Sequence, residues 1–429
     1  MRNRLSRRNF LRRAIAAGTA CAIPSVVPSS VFGANSPAER ITLGFVGTGN
    51  QGIENIKAFL NKRGCEVVAV CDVDAARREK ARLTAKLPAN SSYDDFRELL
   101  TRNDIDAVVV STPDHWHALV SIAAAKAGKD IYCEKPLAYN ITEGRALCNA
   151  VRRYGRILQT GTQQRSDSNF RFACELVRNG RIGRVHTIKV EIPVNSRPNP
   201  LTWKVEPPPQ GLDYDLWLGP AGYRPYIEQG CHYNWHFLYD FGSGQITNWG
   251  AHFIDIAQWG SGTELTGPVE IEGKGEFPKE GLFETPLKME VEYTYANGVK
   301  LFCRTTEKNE TGDFGASTLF EGTDGWVFAA RYKLDAHPKD ILKSKIGPNE
   351  NRLYYSIDHH QNFLDCVRSR KAPAADVEIG HRSASVCHLG DIAIRLGEKL
   401  KWDPQSECFI GNDNANKMLS RSMRPPWRL

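Results

Sequence analysis

The 429-residue chain has no run of about 20 consecutive apolar residues, which an ordinary membrane-spanning helix requires. It has no Cys-x-x-Cys pair and no cysteine and histidine cluster at zinc spacing, so no metal site is predicted. Its 11 cysteines are therefore interpreted as buried thiols, with oxidised pairs left open. Internal repeats and low-complexity tracts are also absent. The length predicts about two domains with extensions.

Acidic residues are missing from the start of the chain, where none precedes Glu39. The formal net charge is +7, from 56 Lys and Arg against 49 Asp and Glu. Six of the arginines lie within positions 1–33, and without them the counts are 50 and 49. The positive charge thus belongs mostly to this first segment. No basic stripe is left to indicate a nucleic-acid partner.

Residues 1–33 have the order of an export signal. Ser6-Arg7-Arg8-Asn9-Phe10-Leu11 resembles the twin-arginine motif S-R-R-x-F-L, and a mildly apolar stretch of small residues follows over 14–31. Val31-Phe32-Gly33 offers a cleavage site after Gly33. We expect residues 1–33 to be a signal peptide that engages the twin-arginine export machinery and directs the chain to the periplasm. An uncleaved signal or a basic amphipathic anchor is the alternative.

A strand, a glycine-rich turn and a helix then follow in the pattern of a dinucleotide-binding unit. A strand over 41–47 runs into Gly47-Thr48-Gly49-Asn50-Gln51-Gly52, which fits G-x-G-x-x-G, and a helix is predicted over 53–62. The first glycine allows the tight turn, the second lets the backbone approach a pyrophosphate, and the third lets the helix pack on the strand. The helix N-terminus offers free N–H groups and partial positive charge to phosphates.

An acidic residue ends the next predicted strand, over 66–72, as a dinucleotide site requires. Asp72 follows Gly52 at the motif's spacing of about 20 residues. Its carboxylate can there accept hydrogen bonds from the adenosine ribose. The same charge repels a 2′-phosphate, so NAD is predicted as the cofactor. Arg77 and Arg78 leave NADP open.

Strands and helices continue to alternate up to residue 165. Strands are predicted over 105–111, 130–133 and 157–160, with helices over 116–127 and 142–154 between them. This alternation predicts an α/β fold with a doubly wound parallel sheet, whose ligands bind at the carboxyl ends of the strands. Three polar segments follow strands at this edge: Ser111-Thr112-Pro113-Asp114-His115-Trp116-His117, Glu134-Lys135-Pro136 and Gly161-Thr162-Gln163-Gln164-Arg165.

Taken in order, the glycine turn, Asp72, Thr112-Pro113, His117 and Glu134-Lys135-Pro136 resemble the Gfo/Idh/MocA oxidoreductases, which include glucose–fructose oxidoreductase and inositol dehydrogenase. The resemblance covers nearly everything after residue 38. It implies an NAD(P)-binding Rossmann domain over 38–165 and a substrate and oligomerisation α/β domain with an open, mostly antiparallel sheet over 166–350. Helices over 351–429 are expected to pack back on the Rossmann domain. A homo-oligomer, a dimer or a tetramer, is expected through the second sheet.

Two segments are expected to perform the chemistry. By resemblance, Lys135 contacts both the nicotinamide ribose and a substrate hydroxyl, next to a Lys-Pro bond that is often cis, and its ammonium would favour an alkoxide. His252 is the expected general acid or base. Asn248 departs from the family, which commonly has Asp there, so Lys135 is expected to take more of the proton chemistry. Residues 248, 252, 255 and 259 are expected on one helical face.

The complete expected site is larger. The cofactor-binding residues are expected to be Gly47, Gly49, Asn50, Gln51, Gly52, Asp72, Ser111, Thr112, Pro113, His117, Glu134, Lys135 and Gln163. Aromatic faces and hydrogen-bonding groups suit a sugar. The substrate-binding residues are expected to be Arg165, Tyr233, Trp235, Asn248, His252 and Asp255.

Three functions stay open from the sequence. The first is a hydride-transferring oxidoreductase that acts on a CH–OH group of a sugar or polyol. The second is an NAD-dependent glycoside hydrolase or lyase that oxidises the sugar transiently, and the third is a non-catalytic dinucleotide-binding protein, which the neutral Asn248 suggests. An exported enzyme meets no free NAD pool, so the cofactor is expected to stay bound and to be regenerated in place.

Overall fold

A computed structural model of the protein describes residues 40–307 and 315–429. The predicted export signal lies outside these residues. From Ile41 onward the described chain forms one compact unit. None of its helices combines the length and the apolarity that crossing a membrane would take.

The first sheet is parallel throughout and has six strands in the order β3-β2-β1-β4-β5-β6. This is the strand order of a Rossmann fold, so the predicted doubly wound sheet is confirmed. Its central strand β4 is Ala-Val-Val-Val and is buried along its whole length, as a strand covered by helices on both faces must be. The strands are β1 Ile41–Val46, β2 Cys65–Cys71, β3 Ser92–Tyr93, β4 Ala107–Val110, β5 Asp130–Cys133 and β6 Leu158–Thr160.

Helices cover both faces of this sheet. Two of them, α2 and α3, and strand β3 were absent from the sequence prediction because their apolar residues are too few to stand out as a period. The helix α2 is instead marked by its N-cap, since the Asp74 carboxylate accepts hydrogen bonds from two backbone N–H groups. The helices are α1 Asn50–Leu60, α2 Ala75–Thr84, α3 Phe96–Leu100, α4 Asp114–Lys126 and α5 Ile141–Arg153.

The second sheet has nine strands in the order β13-β12-β11-β7-β10-β9-β8-β14-β15. Only β10 and β7 pair in parallel, so the sheet is mostly antiparallel, as predicted. Asn297-Gly298, a dipeptide that favours a β-hairpin, forms the turn between β9 and β10, with Tyr293 opposite Leu301 and Gly298 at φ +81°. The strands are β7 Val185–Pro193, β8 Glu270–Glu276, β9 Lys288–Thr294, β10 Lys300–Thr306, β11 Ser317–Gly322, β12 Gly325–Ala330, β13 Lys333–His337, β14 Leu400–Asp403 and β15 Cys408–Phe409.

The remaining helices join the two sheets. Residues of α6, α9 and α11 share one apolar core with the second sheet. Helix α10 belongs to the other side, because its Phe363 and Leu364 pack in a core cluster with β1 and α1 of the Rossmann sheet. The helices are α6 Ser168–Arg178, α7 Tyr214–Leu218, α8 Gln245–Asn248, α9 Gly250–Ser261, α10 His359–Ser369, α11 Val377–Leu396 and α12 Asp413–Lys417.

The ten cysteines of the described chain are all free thiols, and eight of them are buried. Burial raises the pKa of several of these thiols, that of Cys303 to about 12, so they stay protonated and behave as small apolar side chains. The proline-rich stretch over 195–210 has no helix or strand, and its Trp203 is exposed.

Candidate active site

The glycine-rich turn between β1 and α1 is built so that backbone, not side chain, faces a ligand. Gly47 has φ +83°, and a Cβ there would lie 2.6 Å from the backbone N of Thr112. A Cβ on Gly52 would lie 2.2 Å from the carbonyl O of Gly47. Gly49 caps α1 without a side-chain hydrogen bond, so the first N–H groups of the helix remain available. This arrangement fits a pyrophosphate.

Substituting Gly52 with alanine is expected to weaken cofactor binding about tenfold or more, because overpacking here costs about 1–3 kcal/mol. The added methyl group must push the helix away from the Gly47 carbonyl. Titration of the apoprotein with NAD, followed by fluorescence, measures the change. Gly222→Ala is the matched control, since a Cβ there meets nothing within 4 Å. Equal NAD affinity in both variants would contradict this account of the turn.

Asp72 follows the end of β2 at the far side of the turn. Its Oδ2 accepts hydrogen bonds from the Thr48 backbone N at 2.6 Å and the Thr48 hydroxyl at 3.0 Å, and its Oδ1 accepts from the Asp74 backbone N at 3.0 Å. Burial raises the pKa of this carboxyl group, and the hydrogen bonds oppose that effect. Because Oδ1 accepts only one of these hydrogen bonds, it has a further lone pair for a ribose hydroxyl. Arg77, which left NADP open, pairs with Asp74 at 3.5 Å.

A cavity of about 350 Å³ lies at the carboxyl ends of the Rossmann strands and extends to residues of the second domain. Fourteen of the residues expected at the site line this cavity. They are Gly47, Gly49, Asn50, Gln51, Asp72, Ser111, Thr112, Pro113, His117, Glu134, Lys135, Tyr233, Trp235 and Asn248.

Lys135 links the two domains at the inner end of this cavity. Glu134 alone separates it from the end of β5, and its bond to Pro136 is cis. Its Nζ donates to the backbone O of Asn248 at 2.9 Å and to the side-chain Oδ1 at 3.0 Å. The amide is oriented by its other end, because Nδ2 lies 3.3 Å from Gln245 Oε1 and 3.5 Å from the Tyr233 hydroxyl. Both acceptors of the lysine are neutral.

Burial controls the charge of Lys135 and its surroundings. It lowers the pKa of the Lys135 amine, and the nearby Asp114 and Glu134 carboxyl groups oppose this. It raises the pKa of Asp114 well above its usual range. Glu134 is held by Asn55 Nδ2 at 2.9 Å, and Gly161 leaves room for its carboxylate, which a Cβ would approach to 2.7 Å.

Two neutral imidazoles accompany the lysine. His252 is 7% exposed, and burial lowers its pKa well below the usual value, with the charge of Lys135 adding to the effect. His236 lines the cavity, and the same two causes lower its pKa. The Nδ1 atoms of both rings are buried and have no hydrogen-bond partner in the described chain. His236 can therefore take part in a hydrogen bond with a ligand in the cavity, whereas His252, the expected general acid or base, is not among the residues that line it.

The expectation of one continuous helical face was wrong. The short helix α8 ends at Asn248, and the next helix, α9, begins at Gly250. Trp249 lies between them as the N-cap of α9. His252 therefore belongs to a different helix from Asn248, and Asp255 and Trp259 lie deeper in the core. The break brings the Asn248 carbonyl O within reach of Lys135, which an uninterrupted helix would have bonded internally.

The expectation that Arg165 and Asp255 contact substrate is also corrected. The two form a bidentate ion pair, with Nε to Oδ2 at 2.7 Å and Nη2 to Oδ1 at 2.8 Å, and their side chains are 1% and 0% exposed. Ser383 also donates to Asp255, at 2.6 Å. Neither lines the cavity, because each is saturated by the other inside the protein. The pair ties the end of the Rossmann domain to α9 and α11.

Two other expected cofactor contacts, Gln163 and Gly52, do not line the cavity but support residues that do. Gln163 lies 3.1 Å from the Tyr132 hydroxyl and 3.4 Å from Glu134 Oε1, and Gly52 packs on the turn. His117 lines the wall and connects its parts, with Nδ1 2.7 Å from the Pro136 O and Nε2 2.8 Å from the Thr112 O. Burial lowers the pKa of His117 to about 4. His117 and Gln163 thus position the turn over 134–136.

Asp114, Gln164 and Arg331 have no predicted role, yet all three lie near the expected site. Asp114 follows Pro113 in the polar segment after β4, but its burial carries no sequence signal. Arg331 follows β12, far along the chain from the predicted site residues, and reaches the site only through sheet pairing. Its guanidinium lies over Trp249, 5.0 Å from the ring centroid.

A Rossmann sheet with this glycine turn, followed by a second domain with a mostly antiparallel sheet, defines a two-domain dinucleotide-dependent oxidoreductase. Lys135 of the first domain bonds to Asn248 of the second. Comparison with family models agrees at both domains. Residues 41–162 match "Oxidoreductase family, NAD-binding Rossmann fold", and residues 200–429 match "Oxidoreductase family, C-terminal alpha/beta domain". The chain belongs to the Gfo/Idh/MocA oxidoreductase family and is NAD-binding.

The relatives among curated proteins include one that matches most of this chain and others that match about a third of it. The uncharacterized oxidoreductase YrbE of Bacillus subtilis is 31% identical over 346 residues, which is 73% of this chain and 88% of that protein. Inositol 2-dehydrogenase of Salmonella typhimurium is 32% identical over 33% of this chain and 42% of its own length. Alpha-N-acetylgalactosaminidase of Shewanella oneidensis is 35% identical over 32% of this chain and 35% of its own. The last two matches thus span less than half of those proteins.

A solved structure shares the fold over most of the chain. The WlbA dehydrogenase of Bordetella pertussis, in complex with NADH and UDP-GlcNAcA, has a TM-score of 0.63 at 19% identity. The match covers 85% of this chain and 99% of that one. At this identity the likeness establishes the α/β architecture of both domains.

Proposed function

We propose that this protein oxidises or reduces a CH–OH carbon of a sugar or polyol with tightly held NAD, and that Lys135 is the residue that handles the substrate proton. The observation that carries the proposal is the Lys135 Nζ in the cavity wall, fixed by two neutral oxygens of Asn248. Similarity to inositol 2-dehydrogenase over a third of the chain supports a polyol substrate class.

The lysine is suited to move a proton at Nζ. Two of its N–H groups are used by Asn248, so the remaining position is a lone pair in the neutral amine and a third N–H in the ammonium. The neutral form accepts the proton of a substrate hydroxyl, and the ammonium then stabilises negative charge on that oxygen. Since burial lowers the pKa of Lys135, the neutral form is accessible closer to physiological pH.

The cofactor is held at the end of the cavity opposite Lys135. The turn over 47–52 receives the pyrophosphate and Asp72 the ribose, which leaves the lysine end for the nicotinamide. When bound, NAD supplies the group that takes up or returns a hydride. The residues around Lys135 orient the substrate and exclude water from this end.

Replacing Asn248 with aspartate is expected to shift the pH dependence of kcat toward alkaline pH. A carboxylate beside Nζ favours the ammonium and so raises the pKa of Lys135, by about 1 to 3 at this separation. A base must be deprotonated to act, so activity rises with pH through this pKa, and a higher pKa moves the rise to higher pH. Rates of the wild type and the variant across pH measure the shift. An unchanged profile would assign the proton to another residue.

A redox-neutral cleavage of glycosides is the second candidate, favoured by the partial match to alpha-N-acetylgalactosaminidase. The purified protein is incubated with free sugars and with their aryl glycosides, without added NAD. Reduced cofactor appearing with a free sugar supports the oxidoreductase. Release of the aglycone without net reduction supports cleavage, and bound cofactor with neither signal indicates a non-catalytic protein.

We also propose export by the twin-arginine route and assembly through the second sheet. Arg7 and Arg8 within the motif at residues 6–11 support export, and a protein folded around NAD suits a route that carries folded proteins. Replacing both arginines with lysine is expected to retain the protein in the cytoplasm, as fractionation and immunoblotting would detect. Periplasmic protein at the wild-type level would refute this. Light scattering of the purified protein tests for a dimer or tetramer.

A further inference from the structure

Two guanidinium groups lie near Asn248, outside the set of residues that line the cavity but stacked on its neighbours. Arg331 lies over the ring of Trp249, the next residue in the chain, 5.0 Å from its centroid. Arg197 lies over the ring of Tyr233, at 4.1 Å, and the hydroxyl of that tyrosine is 3.5 Å from the Asn248 amide. Stacking on an aromatic face fixes the plane of a guanidinium group and leaves its N–H groups at the edge free to bind.

Neither side chain pairs with a carboxylate in the described ranges 40–307 and 315–429. The hydrogen bond that Arg331 makes there is to Gln164 Oε1, at 3.4 Å. Partial burial of its guanidinium lowers the pKa of Arg331, and no carboxylate of the described residues offsets the effect, while the residue as a whole remains exposed. By contrast, Arg224 in the same domain pairs with both Asp240 and Glu284. The substrate end therefore carries unneutralised positive charge.

Unused polar atoms surround the same place. Gln164, which accepts from Arg331, has a buried Nε2 without a partner in the described chain, and its side chain is 5% exposed. His252 has an unpartnered Nδ1, and the charge of Arg331 is among the causes that lower its pKa. Buried polar groups are almost always hydrogen-bonded in native proteins, so these atoms fit a ligand that supplies acceptors.

We propose that the substrate carries an anionic group, a carboxylate or phosphate on the sugar or polyol, and that Arg331 binds this group with the support of Arg197. The inference rests on the proposed function of the same cleft. A guanidinium fork matches both anions through two parallel N–H···O bonds. The nearby ammonium of Lys135 adds attraction for an anion, whereas a neutral sugar would leave Arg331 and Arg197 without a counter-charge among the described residues.

The test measures binding and turnover separately on the full holoenzyme. D-glucuronate, D-glucose 6-phosphate and D-glucose are titrated, with tryptophan fluorescence for Kd and the absorbance of reduced nicotinamide for turnover. We expect one of the anions to bind about tenfold or more tightly than glucose, and this preference to decrease with added salt. The anion that binds distinguishes a carboxylate from a phosphate.

Variants then assign the preference to one side chain. Arg331→Met is expected to raise the Kd of the anion about 10- to 100-fold, the range of a charge-assisted hydrogen bond, and to leave the Kd of glucose unchanged. Arg331→Lys is expected to keep part of the preference. Arg153→Met is the matched control, because Arg153 also stacks on a tyrosine, Tyr154 at 5.9 Å, but on the helix α5.

The results separate the two proposals. Equal Kd values for glucose and both anions, or an equal effect of Arg331→Met on all three, would overturn the anionic substrate; so would failure of both anions to bind at millimolar concentration. Turnover of glucose with no preference for either anion refutes only this inference. Arg331-dependent anion binding without reduced cofactor for any sugar supports the anion site and refutes the proposed oxidoreductase chemistry.

Discussion

Replacing Lys135 with methionine is expected to lower kcat by about 10²- to 10⁴-fold, the range that positioned proton transfer contributes, while NAD stays bound. Methionine keeps the unbranched stem but removes Nζ, so the substrate hydroxyl loses its proton acceptor and the developing charge loses its ammonium. The turn over 47–52 and Asp72 are untouched. Single-turnover absorbance measures the chemical step, and mass spectrometry of the purified variant measures the bound cofactor.

The fold should tolerate this change. Asp114 loses its neighbouring cation, and since burial raises the pKa of Asp114 well above its usual range, loss of that cation favours the neutral carboxylic acid over a buried charge. Lys126→Met, at the exposed end of α4, is the control for removal of a lysine from the same domain. A variant with nearly wild-type kcat would transfer the proton chemistry to His236 or His252, which the substitutions His236→Asn and His252→Asn would then distinguish.

Breaking the Arg165–Asp255 pair is expected to cost about 3–5 kcal/mol of unfolding free energy, because either substitution leaves a buried charge without its partner. Arg165→Met also removes the stacking of the guanidinium on Trp259, at 4.9 Å. Denaturant unfolding measures the loss for Arg165→Met, Asp255→Asn and the double variant. The double variant is expected to lose less than the sum of the single losses, because the two groups interact directly.

Kinetics decide whether this pair has any substrate role. At a temperature where the variants are folded, we expect KM for the substrate to remain at the wild-type value, because neither side chain lines the cavity. Lys274→Met removes one partner of an exposed ion pair, with side chains 80% and 49% exposed, and is expected to change stability by less than about 1 kcal/mol. A large rise in KM with unchanged stability in Asp255→Asn would show that the pair does contribute to substrate binding.

Much of the Rossmann half was predictable because its signals are local. The strand before Gly47, the glycine spacing and Asp72 all lie in the single segment 41–72, and each follows from backbone sterics that neighbouring residues determine. The hairpin at Asn297-Gly298 was predictable for the same reason. The short helices α2 and α3 were missed because a few turns of helix carry too little periodicity.

The errors at the site have one common cause, which is tertiary packing. Arg165 and Asp255 are residue types that can bind a sugar, but they form an ion pair with each other and so do not face a ligand. The sequence could not predict this pair, because 90 positions separate the two residues. The helical period across 248–259 would place these residues on one face only in an unbroken helix, and the helix is interrupted at Trp249.

The amino-acid sequence alone determined the family, the parallel sheet and the chemical types at its carboxyl edge, because those depend on residues close together in the chain. Only the tertiary structure decided which polar groups stay free. It neutralised Arg165 and left Arg331 without a carboxylate among the described residues, and it set Lys135 against the neutral Asn248. The physical reason is that charge pairing and desolvation depend on distances in space between residues that lie far apart along the chain.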